Sequence, residues 1–137
     1  MILPETTSYL SDISKDTLRR ITKEIDPQVA VDLGTQRGCS AILIGQGMKP
    51  NTKLFTVDSF LSTYPNPPFS KTHADLQAAA RNIKEARLNP NVQICVGNVT
   101  SELTKLLIRR KGKPGQKIQL LHIDLCNWER NVREVLL

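Results

Sequence analysis

The chain has 137 residues, 39% of them hydrophobic and 23% charged, which fits one globular domain with a modest core and leaves no room for two. No apolar run approaches the roughly 20 residues of a membrane span, and Met1-Ile2-Leu3-Pro4-Glu5 lacks the basic start and apolar stretch of a signal peptide, so a soluble, cytoplasmic protein is expected. The net charge of +6 favours an anionic partner such as RNA, but much of the excess sits in Arg109–Lys117, a helix end running into a Pro/Gly loop, and few aromatic residues interleave with the charges to stack on bases.

The first element is an amphipathic helix from about Ser11 to Glu24, with Ile13, Leu18, Ile21 and Ile25 at helical spacing, ended by Asp26-Pro27. Val29–Leu33 is a short apolar, β-branched run that stops at Gly34, the pattern of a buried strand followed by a turn. A helix over Ser40–Met48 follows, closed by Lys49-Pro50-Asn51. Lys53–Val57 is the second strand, ended by Asp58-Ser59, and the prolines at 65, 67 and 68 make Ser62–Ser70 irregular.

A long helix is predicted from Thr72, where Thr72 and Asp75 form an S/T-x-x-D/E start and Leu76, Ala79, Ala80 and Ile83 share a face. Asn89-Pro90-Asn91 breaks it, and Val92–Val96 is the third strand, before Gly97-Asn98. Glu102–Arg110 is a further helix, Ile118–Ile123 an almost wholly apolar fourth strand ended by Asp124, and a last helix is expected from about Trp128, which is read as packing that helix. Strands separated by helices, with no hairpin signal between them, point to right-handed crossovers and a Rossmann-like parallel sheet of about four strands in one domain. The N-terminal helix covers about 11–25 and the core about 29–137.

Cys39, Cys95 and Cys126 lie far apart, each in or beside an apolar stretch, and are read as small buried hydrophobes. His73 and His122 have no Cys or acidic partner at metal-ligand spacing, so no metal is expected, and no nucleophile elbow supports a Ser-His-Asp triad.

In an open parallel sheet ligands bind beyond the carboxyl ends of the strands. Those ends carry Asp32-Leu33-Gly34-Thr35-Gln36-Arg37-Gly38, then Asp58-Ser59, then Gly97-Asn98-Val99, then Asp124. Gly34 and Gly38 flank a turn where the missing Cβ lets backbone approach a ligand. The dinucleotide fingerprint is absent, because Gln36 stands where its second glycine belongs, and no Gly-Lys-Ser/Thr completes a Walker A loop. Asp58, about twenty residues beyond Gly38, is suited to accept from both hydroxyls of an adenosine ribose.

Val31–Ser40 resembles the first motif of class I S-adenosylmethionine-dependent methyltransferases, in the E/D-x-G-T-x-x-G-x-S form of a subgroup that includes many small-molecule O-methyltransferases. Leu54–Phe60, Val96–Val99 and Leu121–Asp124 are similar to that subgroup's second, third and fourth motifs. The resemblance implies the strand order 3-2-1-4 and S-adenosylmethionine as cofactor. It implies Asp32, Gly34, Thr35, Gly38 and Ser40 around the methionine part, Asp58 on the ribose, Ser59, Asn98 and Val99 beside the adenine, and Asp124 facing the transferable methyl as a candidate catalytic group. Two departures stand out: Asn127 replaces the family's histidine after the fourth strand, and four strands replace the family's seven. The expected activity is methyl transfer to an oxygen or nitrogen of an acceptor, most simply a small molecule. The alternatives are a non-catalytic domain assembling as a homo-oligomer or with a partner chain at the fourth-strand edge, and an RNA methyltransferase.

Overall fold

A computed structural model describes residues 11–60, 75–110 and 117–124. The elements are α1 (Asp12–Ile25), β1 (Val29–Leu33), α2 (Cys39–Gly47), β2 (Lys53–Asp58), α3 (Leu76–Ala86), β3 (Asn91–Val96), α4 (Val99–Arg110) and β4 (Leu120–Ile123). All strand pairs are parallel, in the order β3-β2-β1-β4. The chain moves outward from β1 to β3 and then returns to the other side of β1, so the order reverses at β1 and β4, where such sheets open their ligand crevice.

Side-chain alternation divides the core in two. Val29, Val31 and Leu33 of β1 join Phe55 and Val57 of β2, Cys95 of β3 and Leu103 and Leu106 of α4. Ala30 and Leu54 face the other way, onto Ala41, Ile42 and Ile44 of α2 and Ile83 and Ala86 of α3. β1 is buried along its whole length, which accounts for its unbroken apolar run and makes the polar Asp32 within it a position that needs partners.

All four helix starts differ from the sequence expectation, and local capping decides three of them. α1 begins at Asp12 because Ser11 is its N-cap, accepting from Ser14 N–H at 3.2 Å. α3 begins at Leu76, not Thr72: Asp75 is the N-cap and accepts from Ala78 N–H at 3.0 Å. Thr72 itself lies outside the described residues. α4 begins at Val99, three residues before Glu102, because Asn98 caps it, accepting from Ser101 N–H at 3.1 Å.

α2 begins one residue early, at Cys39, and stops at Gly47, one short of Met48. β2 extends through Asp58, and β4 starts at Leu120, two residues later than Ile118. Cys39 and Cys95 are buried and form no disulfide. Cys126, Asn127, Trp128 and the expected last helix, with His73 and the proline-rich stretch, lie outside the described residues. Among the described residues no helix is long and apolar enough to cross a membrane.

Candidate functional site

The carboxyl ends of the four strands form one rim, tied together by backbone hydrogen bonds. Gly34 N–H donates to Val57 O at 2.8 Å, Gly97 N–H to Asp58 O at 3.0 Å, and Asp124 N–H to Leu33 O at 3.0 Å. Gly34 and Asp58, expected to share a crevice, thus sit on the same rim of neighbouring strands.

The β1–α2 loop turns tightly. Gly34 and Gly38 have φ of 97° and 99°, with Gln36 at 51° between them, a left-handed conformation that favours glycine at both ends. A Cβ on residue 38 would lie 3.3 Å from Ile83 Cγ1, so glycine also lets the loop close on α3. From α3, Asn82 Nδ2 donates to Arg37 O at 2.9 Å and Asp75 N–H to Gln36 O at 3.1 Å. Gly38 is the N-cap of α2 and brings no side chain to its first-turn N–H groups, which leaves an electropositive helix start of the kind that binds carboxylates and phosphates.

Asp58 closes the loop from β2. Its Oδ2 accepts Gln36 N–H at 2.8 Å and its Oδ1 accepts Phe60 N–H at 2.9 Å. Each oxygen keeps acceptor capacity, since a carboxylate offers about four lone-pair sites. Ser59 follows at the same rim, partly exposed.

Beneath the rim lies a polar cluster centred on Asp32, which is fully buried. Register places Thr56 on one side of it and His122 on the other. Thr56 Oγ1 donates to Asp32 Oδ2 at 2.8 Å, Ser40 Oγ of α2 reaches both carboxylate oxygens at 2.9 and 3.0 Å, and His122 Nδ1 lies 2.9 Å from Oδ1. Thr35 Oγ1 and Thr56 Oγ1 are 2.6 Å apart. Because Thr56 gives its one proton to Asp32, Thr35 is the donor in that pair. The loop is therefore anchored from below through a chain of hydroxyls ending on a buried carboxylate.

His122 experiences opposing influences. Burial, the largest, lowers its pKa, but the hydrogen bond with Asp32 and the charges of Asp32 and Asp124 outweigh it and leave the imidazole above its ordinary 6.5. The acidic partner of His122 comes from the neighbouring strand, 90 positions away, a pairing that no spacing along the sequence signals.

The sequence-derived site residues thus fall into two layers. Gly34, Gly38, Asp58, Ser59, Asn98, Val99 and Asp124 line the rim, while the side chains of Asp32, Thr35 and Ser40 are buried below it. The Asn98 side chain is already committed to the first turn of α4. Gln36, Thr56 and His122 were not singled out as site residues from sequence; the available signal was a polar residue inside each otherwise apolar strand, at 32, 56 and 122. Among the described residues no group of three His, Cys, Asp or Glu side chains is gathered to hold a metal ion.

A family profile described as "Methyltransferase domain" matches residues 31–137. A comparison with curated proteins finds no match. Among solved structures the chain is similar to an O-methyltransferase from Bacillus cereus in complex with SAH, with a TM-score of 0.67 and 21% identity over 98% of this chain and 54% of that one. It is also similar to the O-methyltransferase TomG from Streptomyces achromogenes, involved in tomaymycin synthesis and solved with SAM, with a TM-score of 0.64 and 18% identity over 93% of this chain and 51% of that one. The chain spans about half the length of these structures, and at such identities the likeness is one of fold.

Proposed function

Because the chain belongs to the methyltransferase domain family, we propose that the rim at β1 and β2 binds S-adenosylmethionine and that the domain serves methyl transfer to an oxygen or nitrogen of a small-molecule acceptor. The observation that supports this most is the 2.8 Å bond from Gln36 N–H to Asp58 Oδ2. It brings a glycine-flanked turn and an acidic side chain onto one edge of the sheet.

The residues present suit the cofactor chemically. Asp58 keeps acceptor capacity for the two ribose hydroxyls, and the α2 start offers N–H groups to the methionine carboxylate. Ser59 and Val99 border the adenine, together with Asn98 once its capping bond is shared. Gly34 and Gly38 keep the backbone low enough for the methionine part to approach. In this reading the side chains of Asp32, Thr35 and Ser40 hold the loop's shape from beneath the methionine part.

Bound S-adenosylmethionine supplies a methyl group already activated on a sulfonium, so alignment and exclusion of water are the protein's main contributions. Asp124, beside Leu33 at the end of β4, is the group assigned to orient the acceptor or take its proton. Calorimetric titration of S-adenosylmethionine into the protein and into Asp58→Ala tests the reading. The variant is expected to bind at least about tenfold more weakly, roughly 1.4 kcal/mol, and equal affinity in the two would remove the ribose assignment.

A further inference from the structure

At the opposite rim, where the amino ends of the strands and the C-termini of α2 and α3 meet, the structure holds a pocket of about 320 Å³. Its walls carry Arg19 and Lys23 of α1, Gln46 of α2, and Arg87 and Asn89 of the α3–β3 connection, over a floor of Gly45 and Leu88. All three ionisable residues lining it are cationic. Neither Lys23 nor Arg87 forms an ion pair among the described residues. The C-terminal ends of α1, α2 and α3 contribute about half a negative charge each, and Asp16 pairs with Arg19 at 3.2 Å from the exposed side. A small excess of positive charge therefore remains, carried by Lys23 and Arg87.

Arg19 is held in place more firmly than a surface arginine usually is. Its Nε donates to Gln46 Oε1 at 2.9 Å and its Nη1 to Asp16 Oδ1 at 3.2 Å, and its side chain is 29% exposed. Fixing the guanidinium from two sides removes ordering entropy that a ligand would otherwise have to overcome, and leaves Nη2, which has no protein partner among the described residues, as the donor for a ligand. The floor is apolar and shallow because residue 45 is glycine: a Cβ there would lie 2.6 Å from Leu88 Cδ1, so the leucine side chain lies directly against the α2 backbone.

We propose that this pocket binds a small phosphorylated molecule, with the phosphate against Arg19, Lys23 and Arg87 and a flat apolar body on Leu88 and Gly45. A guanidinium held in place, with two further cations, matches a phosphate's oxygens, and the volume is that of a small-ligand site. The position, on the far side of the sheet from Asp58 and the glycine turn, makes it independent of the methyltransferase reading. A nucleic-acid backbone is the competing occupant, but it would need cations spread along a track, whereas these line one half-open pocket.

The test is calorimetric titration of phenyl phosphate, with pyrophosphate and benzyl alcohol as the anionic and neutral comparisons, into the protein and into Lys23→Gln/Arg87→Asn. Asparagine tolerates the left-handed backbone of residue 87, at φ 51°, so the double variant is expected to fold. Saturable binding of phenyl phosphate, with a dissociation constant of about 0.1 mM, tighter than pyrophosphate, absent for benzyl alcohol and weakened at least tenfold in the variant, is the expected result. Arg19→Lys keeps the charge but not the guanidinium, and is expected to lose several-fold. Equal binding by wild type and the double variant, no loss in Arg19→Lys, or binding of single-stranded RNA without binding of phenyl phosphate would each overturn the proposal.

Discussion

Asp32 and His122 stand 90 positions apart in the chain yet meet at 2.9 Å, because β1 and β4 pair in parallel with these two residues in register. A fully buried carboxylate in the middle of a core strand would be costly alone. With His122, Thr56 and Ser40 around it, it becomes the anchor to which the loop over it is fastened.

Replacing Asp32 with alanine strips the acceptor from the buried Thr56 and Ser40 and from the partly buried His122 at once. Removing one partner of a buried ionic cluster costs about 3–5 kcal/mol, so Asp32→Ala is expected to lower the urea midpoint by most of a small domain's margin. A midpoint within experimental error of the wild type would show that the cluster does not hold the fold.

The same pair makes stability depend on pH. The pKa of His122 is raised in the folded state, so its charge-dependent contribution is complete below its ordinary value of 6.5 and drains away as pH rises through the higher folded value. The difference in melting temperature between the wild type and His122→Phe should therefore shrink from pH 6 to pH 9. A difference that is constant across that range, or that grows, would contradict the sign.

Gly38→Ala forces a side chain into backbone with φ of 99° and against Ile83 at 3.3 Å. A destabilisation of about 1–2 kcal/mol is expected, with weaker binding of S-adenosylmethionine because the loop is pushed from α3. Equilibrium urea unfolding and calorimetry report the two effects separately. If stability falls without any loss of affinity, the loop does not shape the cofactor site.

Asn98 is claimed by two roles that its variants separate. As the cap of α4, Asn98→Ala should cost about 1 kcal/mol, and Asn98→Ser should restore most of it because serine also caps. Binding of S-adenosylmethionine should fall in Asn98→Ala and return only partly in Asn98→Ser, whose shorter side chain reaches less far toward the adenine. Full recovery of binding in the serine variant would mean that residue 98 acts only as a cap.

Much of the fold was legible in the sequence because its signals are local. β-branched runs closed by Gly34 and Asp58, and helices punctuated by Asn89-Pro90-Asn91, mark the elements and put the chemically useful residues at the strand ends. Helix starts are less legible: the pattern begins the helices at Thr72 and Glu102, but Asp75 and Asn98 are the caps, and several nearby polar side chains compete for that task.

What the chain's pattern determined by itself is the alternation of strands and helices and the residues that each strand delivers to the carboxyl rim. Only the packed sheet decided which of those residues look outward, that Asp32 turns inward to His122, and that Arg19, Lys23 and Arg87 gather at the far rim. The reason is geometric: parallel strands are joined through helices, so lateral neighbours are distant in the chain, and their register is set by helix packing that no local pattern records.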